Sequence, residues 1–399
     1  MRTSQHGWMH AARARKAFGL SFAALVAAGV AAGSSPALRA DWVELVNGQR
    51  YDNVKIVSAK FDAVQYKVGN AAGVSTQTGD KVLAIFRESL LLQRPRQLLE
   101  AGDGEKALRD LTPIISGNLK DDDWQKAEAA FLIGRAHRAA GDGKKAIESF
   151  KAYLEKNTPA KDWFVPSATH EMAQTLLDLK QPGTAELSFK ELAKYGGPWT
   201  LRAKLGEAMA LIASKGAAAA LPARTLCDEI VRTREAPREL KNQALVLRAK
   251  ILLLQENPQQ AAKELTDGFF TPGKAEVEYS EERAEASLLL GRAYAALGGK
   301  ENLEQAEIWY LKVPALYRKY TSVYAEACGE LAALYEKAGN AQRASQWKSR
   351  AESSRSGPPQ SASPQPAPAP AETPKESPKE APKKGSGKAA KGGGAAGRA

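Results

Sequence analysis

One spacing recurs through the middle of this chain, and it constrains the fold more than any single residue does. From Gly134, a small residue follows at +12 (Ala146), and large apolar residues follow at +16 (Phe150) and +19 (Tyr153). Gly141 and Gly143 fall between, and Pro159 closes the run. Small residues let two helices touch, and glycine takes turn conformations cheaply. Apolar residues three and four apart mark one face of a helix, and a following proline stops it. The stretch from Trp124 to Pro159 is therefore predicted to form a helix, a turn and a second helix.

The same ruler fits elsewhere. From Ala173 it gives Ala185, Phe189 and Leu192 at +12, +16 and +19. From Ala249 it gives Ala261 and Leu265, and Ala332, Tyr335, Gly339 and Ala344 fit again. Upstream, the turn Gly102-Asp103-Gly104 precedes Ala107 and Leu111. Leu290-Gly291, Tyr294 and Gly298 make a clear first helix, although Ala306, Tyr310 and Val313 arrive three residues late. Around 200–230 the register slips: Leu205-Gly206 is followed by a Gly-Ala bend, and Pro222 stands where a large residue is expected. The count is six or seven helical pairs.

As a set, these offsets resemble the tetratricopeptide repeat, whose period is about 34 residues. The residues that carry the likeness are Gly134, Gly141, Ala146, Phe150, Ala173, Ala185, Phe189, Ala249, Gly291, Tyr294, Tyr335, Gly339 and Ala344. His137 and Leu176 replace the usual tyrosine, which bears on the repeat count rather than the architecture. The resemblance implies a mainly α fold, an α-solenoid over 90–351 whose hairpins stack because none buries its apolar face alone. It also implies a concave groove, lined by the first helix of each pair, that binds a protein or peptide. On that reading Arg135, Arg138, His170, Gln174, Lys250 and Arg292 face the groove. They make a partly basic wall suited to an acidic peptide or carboxyl terminus, because guanidinium groups grip carboxylates with two bonds. The competing expectation is a set of solvated helix faces.

Residues 41–88 have another period. WVELV alternates, Asn47-Gly48 is a hairpin turn, and RYDNVKIVSA, AVQYKV, VSTQT and KVLAIF follow as short strands, with a glycine-rich turn at Gly69–Gly73. So small a sheet must curl on itself or pack on a neighbour. The order resembles small SH3-like or Sm-like β-barrels of secreted bacterial proteins. Trp42, Tyr51, Phe61 and Tyr66 are expected to pack its core.

The charge sits at the ends. The net charge is +12, of which residues 1–40 and 353–399 each carry +5, leaving +2 on the rest. A general nucleic-acid-binding surface on the folded part is not implied. Residues 1–40 combine a basic stretch, the apolar run 20–33 and a small-residue exit at Ala40, the layout of a secretory signal peptide. That run is too short to span a bilayer comfortably, and no transmembrane span is expected after its removal. Residues 353–399 hold nine prolines between Pro358 and Pro382 and then a Gly/Ala/Lys run. This composition predicts a disordered tail whose lysines can touch anionic cell-wall or membrane surfaces.

No catalytic, metal or cofactor motif is present in the sequence. Cys227 and Cys328 read as small buried residues, and the acid run Asp121-Asp122-Asp123 reads as the start of a helix. The sequence thus points to a non-enzymatic interaction scaffold, exported to the bacterial cell envelope, that needs no cofactor. The rival reading is a binder of envelope polymer or another polyanion, using the barrel and tail, with the repeats as a spacer.

Overall fold

The computed structural model describes residues 40–69, 73–120, 123–271 and 279–356. The signal-like stretch through residue 39, the centre of the glycine turn at 70–72, Asp121-Asp122 and the tail from 357 lie outside the described residues.

Among the described residues, six short strands precede the helices: β1 (Trp42–Leu45), β2 (Arg50–Asp52), β3 (Val54–Ala59), β4 (Val64–Val68), β5 (Ser75–Gln77) and β6 (Val82–Phe86). They pair antiparallel as two three-stranded sheets, ordered β2-β1-β6 and β3-β4-β5. Asn53 lies between β2 and β3 at φ 56°, a left-handed turn that carries the chain from one sheet to the other. Alternation puts Val43 and Leu45 inward, where they meet Val54, Phe61, Val64, Tyr66 and Val82. Trp42 faces outward instead, stacked on Phe86 at 6.0 Å, with the Arg50 guanidinium 4.1 Å above its ring.

Seven helical hairpins follow among the described residues. They are α1 (Leu90–Glu100) with α2 (Gly104–Ser116), α3 (Trp124–Ala139) with α4 (Gly143–Lys156), and α5 (Val165–Asp178) with α6 (Pro182–Ala193). Then come α7 (Gly197–Lys215) with α8 (Ala220–Arg232), and α9 (Arg238–Leu254) with α10 (Pro258–Leu265). The last are α11 (Glu281–Leu297) with α12 (Lys300–Leu316), and α13 (Thr321–Lys337) with α14 (Ala341–Ser356).

The ruler has a structural meaning at each mark. The residue at +7 takes a left-handed conformation: Gly141 at φ 83°, Gly339 at 73°, and also Lys180 at 63° and Glu256 at 55°. The next residue then caps the second helix. Asp142, Asn257 and Asn340 each accept a hydrogen bond from the amide three residues on. Asp103, after the left-handed Gly102, does the same for α2. At +12, +16 and +19 lie the residues that the second helix buries, among them Ala146, Phe150 and Tyr153, then Ala185, Phe189 and Leu192.

The irregular hairpin also resolves. A 3-10 turn at Gly216–Ala219 leads into α8, whose buried residues include Ala223, Cys227 and Ile230. Their mutual spacing is that of Ala146, Phe150 and Tyr153, so Cys227 stands in the place of Phe150. Pro222, expected there, is exposed. In the sixth hairpin, consecutive left-handed residues Gly298 and Gly299 absorb the late register. Cys227 and Cys328 are both buried and free.

Each first helix packs on the next along the series α1, α3, α5, α7, α9, α11 and α13. The first helices therefore share one face of a solenoid. The β unit precedes α1 in sequence yet docks further along. Phe61 sits between Trp163 and Tyr195, with ring centres 5.7 and 5.6 Å away, in the loops before α5 and α7. The Asp62 amide donates to the Pro159 carbonyl at 3.2 Å. Gly197, at φ +50°, lies so close to the Asp80 backbone that no Cβ would fit. The strands and the third and fourth hairpins thus share one core, which includes Trp163, Phe189 and Trp199.

Candidate partner-binding face

The small residue of each first helix fixes its orientation. A Cβ at Gly134 would lie 2.5 Å from the Phe150 ring, and a Cβ at Gly291 would overlap Tyr310. Such contact holds first helix to second and turns the next residue, at +1, toward the neighbouring first helix. The residues at +1 include Arg135, Gln174, Lys250 and Arg292, and the same count from buried Pro95 adds Arg96.

These bases do not stand free, as either sequence expectation had them. Arg96 on α1 binds buried Glu128 on α3 at 2.6 Å. Arg138 is nearly buried, bridging Glu171 on α5 and reaching Asp178 at 3.1 Å, while Arg135 approaches Glu171 at 3.7 Å. Lys250 on α9 binds Glu285 on α11. Arg292 on α11 binds Glu326 at 3.1 Å and Glu330 at 2.8 Å, both on α13. Between α7 and α9, burial pushes the Arg202 guanidinium below the ordinary arginine range, and the charge of Glu239 on the next first helix offsets this only in part. At each of these steps the base lies on the earlier helix and the acid on the later one.

The electrostatics follow. Burial works against the Arg138 and Arg292 cations, but their carboxylate partners outweigh it and hold both above the ordinary arginine range. Burial would raise the Glu171 carboxyl, yet Arg138 and Arg135 together hold it below the usual value. The basic wall is therefore a ladder of ion pairs within the chain, and its positive charge is already compensated.

The step from α5 to α7 lacks such a pair among the described residues and is aromatic instead. The His170 ring lies 6.2 Å from Phe189 and 6.3 Å from Trp199, and Arg202 lies 5.0 Å over Trp199. Gln174 contacts His170 at 3.2 Å and Arg138 at 3.3 Å. Burial pushes the His170 imidazole down to about 4, so it is neutral at physiological pH. His170 and Gln174 thus join α3, α5 and α7 rather than standing out as ligands.

Of the remaining repeat residues, Ala173 and Ala249 are fully buried small contacts and Ala344 packs beneath α13. Tyr294 bridges the clusters on either side of the sixth hairpin, and Tyr335 bonds Glu307. The sequence reading did not include the acids. Yet Glu128, Glu285 and Glu326 all stand six residues before their helix's small residue, so one ruler would have found bases and acids together.

No family model matches the sequence, and no curated protein matches it. Solved structures resemble this fold. One is a tetratricopeptide repeat protein from Parabacteroides merdae, 13% identical, spanning 66% of this chain and 91% of its own, with a TM-score of 0.48. Another is a tetratricopeptide repeat protein of Thermus thermophilus, 19% identical over 50% of this chain and 96% of its own, at TM-score 0.40. The apo form of RapI, 12% identical, spans 66% of this chain and 96% of its own at 0.44.

Proposed function

We propose that this chain is a non-enzymatic protein-interaction scaffold, exported to the bacterial cell envelope. The observation that carries this reading is the row of seven first helices among the described residues, each packed on the next, joined by directional ion pairs at most steps and by aromatic contacts between α5 and α7. Such a face is rigid before a partner arrives, and a preorganised surface spends little ordering entropy on binding. The compensated charge favours a partner of mixed polarity on that face, in place of an acidic tail. Export rests on the basic, apolar and small-residue sequence of residues 1–40.

Proximity labelling in the native envelope, with mass spectrometry of the partners and of the mature N-terminus, tests both parts. The expected result is a defined set of proteins that persists when 353–399 are deleted, and a chain that begins at Asp41. Loss of every partner with the tail would favour the polymer-binding alternative and overturn the scaffold reading.

A further inference from the structure

Building on the scaffold reading, a second surface stands out on the side of the second helices. After α10 the chain continues as a π-helical turn, Thr266–Phe270. Such turns widen the coil and redirect the side chains that follow. This one brings Phe270 to Trp309 of α12, with ring centres 4.7 Å apart. Both rings stay half-buried. The Lys312 ammonium lies 3.3 Å from the centre of the Trp309 ring, and the Arg283 guanidinium lies 5.0 Å over Phe270. Ile308 and Leu316 stand one turn to either side of Lys312, 48% and 47% exposed.

The charge here differs from that of the ladder. Two other cations on rings also meet a carboxylate: Arg50 over Trp42 pairs with Asp52, and Arg96 over Phe86 pairs with Glu128. Lys312 has no carboxylate partner among the described residues. Burial, and then the neighbouring Arg283 charge, push its ammonium below the ordinary lysine range. Arg318 and Lys319 follow it, both exposed. Aromatic rings, exposed aliphatics and a cation with no carboxylate partner among the described residues together make an apolar anchor site beside a place for a carboxylate. Tryptophan and arginine in such settings dominate protein contacts.

We propose that Phe270, Arg283, Ile308, Trp309, Lys312 and Leu316 form a docking patch for an acidic peptide segment with an apolar anchor, supplied by a partner protein. The carboxylate sits on Lys312, beside the Arg283 guanidinium over Phe270, and the anchor packs against Trp309 and Leu316. The exposed aliphatics favour a peptide over single-stranded nucleic acid, for which rings and cations alone suffice.

The test uses the full chain. A random peptide library displayed on phage is selected on it, and selected peptides are measured by fluorescence anisotropy alongside an oligo-dT strand. Peptides rich in Asp or Glu with Leu, Phe or Trp are expected. Their affinity should fall roughly tenfold or more with Lys312→Glu or Trp309→Ala, and stay unchanged with Arg135→Ala. Lys312→Met keeps the aliphatic stem, so loss of binding there isolates the charge, and an unshifted thermal midpoint in each variant excludes unfolding. The proposal is overturned if no acidic peptide is selected, if binding ignores Lys312→Glu, or if oligo-dT binds in their place. Peptides that respond only to Arg135→Ala would also overturn the patch while leaving the scaffold reading intact. Failure of envelope labelling would remove that reading independently.

Discussion

Two residues carry backbone strain that their neighbours in the pattern avoid. Lys180 and Glu256 occupy the left-handed turn position that Gly141 and Gly339 fill with glycine. A residue with a Cβ costs roughly 1–2 kcal/mol there. Glycine also loses more entropy on folding, so Lys180→Gly and Glu256→Gly should each stabilise by about 0.5–1 kcal/mol in equilibrium denaturation. The opposite holds at Gly134, whose Cβ would strike Phe150. Gly134→Leu should cost about 1–3 kcal/mol through overpacking, read as a lowered midpoint in the same assay. His170 adds a pH dependence. Its folded value of about 4 lies below the unfolded value of 6.5, so its contribution is complete above pH 6.5 and is lost as pH falls toward 4. Denaturation at pH 7 and pH 5 should show wild type losing more stability on acidification than His170→Gln does.

At the scale of the elements, the hairpins were legible because helix contacts demand small residues and turns demand glycine, and both leave marks at fixed spacing. Ala146 with Phe150 and Ala185 with Phe189 are such marks. The shifted triad Ala223, Cys227 and Ile230 was not legible, because a small cysteine replaces the aromatic and the turn before it lengthens. The ladder was missed for a different reason. A base at +1 reads as solvated until the acid on the next helix is placed beside it, and the pairs lie more than thirty residues apart, as with Arg292 and Glu326. The docking of the β unit was equally hidden. Pro159 reads as a helix stop, yet its carbonyl receives the Asp62 amide. Gly197→Ala should disturb this junction twice, through its left-handed φ and its contact with Asp80. The expected outcome is faster amide exchange in β3 and β4, with α11–α14 unchanged.

For the whole molecule, these contacts make the β unit part of the solenoid and not a free module ahead of it. Trp163 and Trp199 lie buried under the joint core. Removing the strands would expose both to water, so a chain lacking 41–86 should show red-shifted tryptophan emission and a lower unfolding midpoint. The ladder runs in one direction and stops at α13, where Ala333 stands at the +1 position. Beyond it, α14, the last helix among the described residues, is mostly polar. Among the described residues, the bases Arg96, Arg138, Lys250 and Arg292 of this face are thus engaged in joining one first helix to the next.

That claim is tested most directly by a double-mutant cycle on Arg138 and Glu171 in equilibrium denaturation. Removing either partner alone should cost about 1–3 kcal/mol, because the remaining half-buried charge loses one of its partners, Arg138 keeping Asp178 and Glu171 keeping Arg135. Removing both should cost clearly less than the sum, giving a coupling of about 1–3 kcal/mol. A coupling indistinguishable from zero would contradict the account, and would return Arg138 to the groove as a charge free for a ligand.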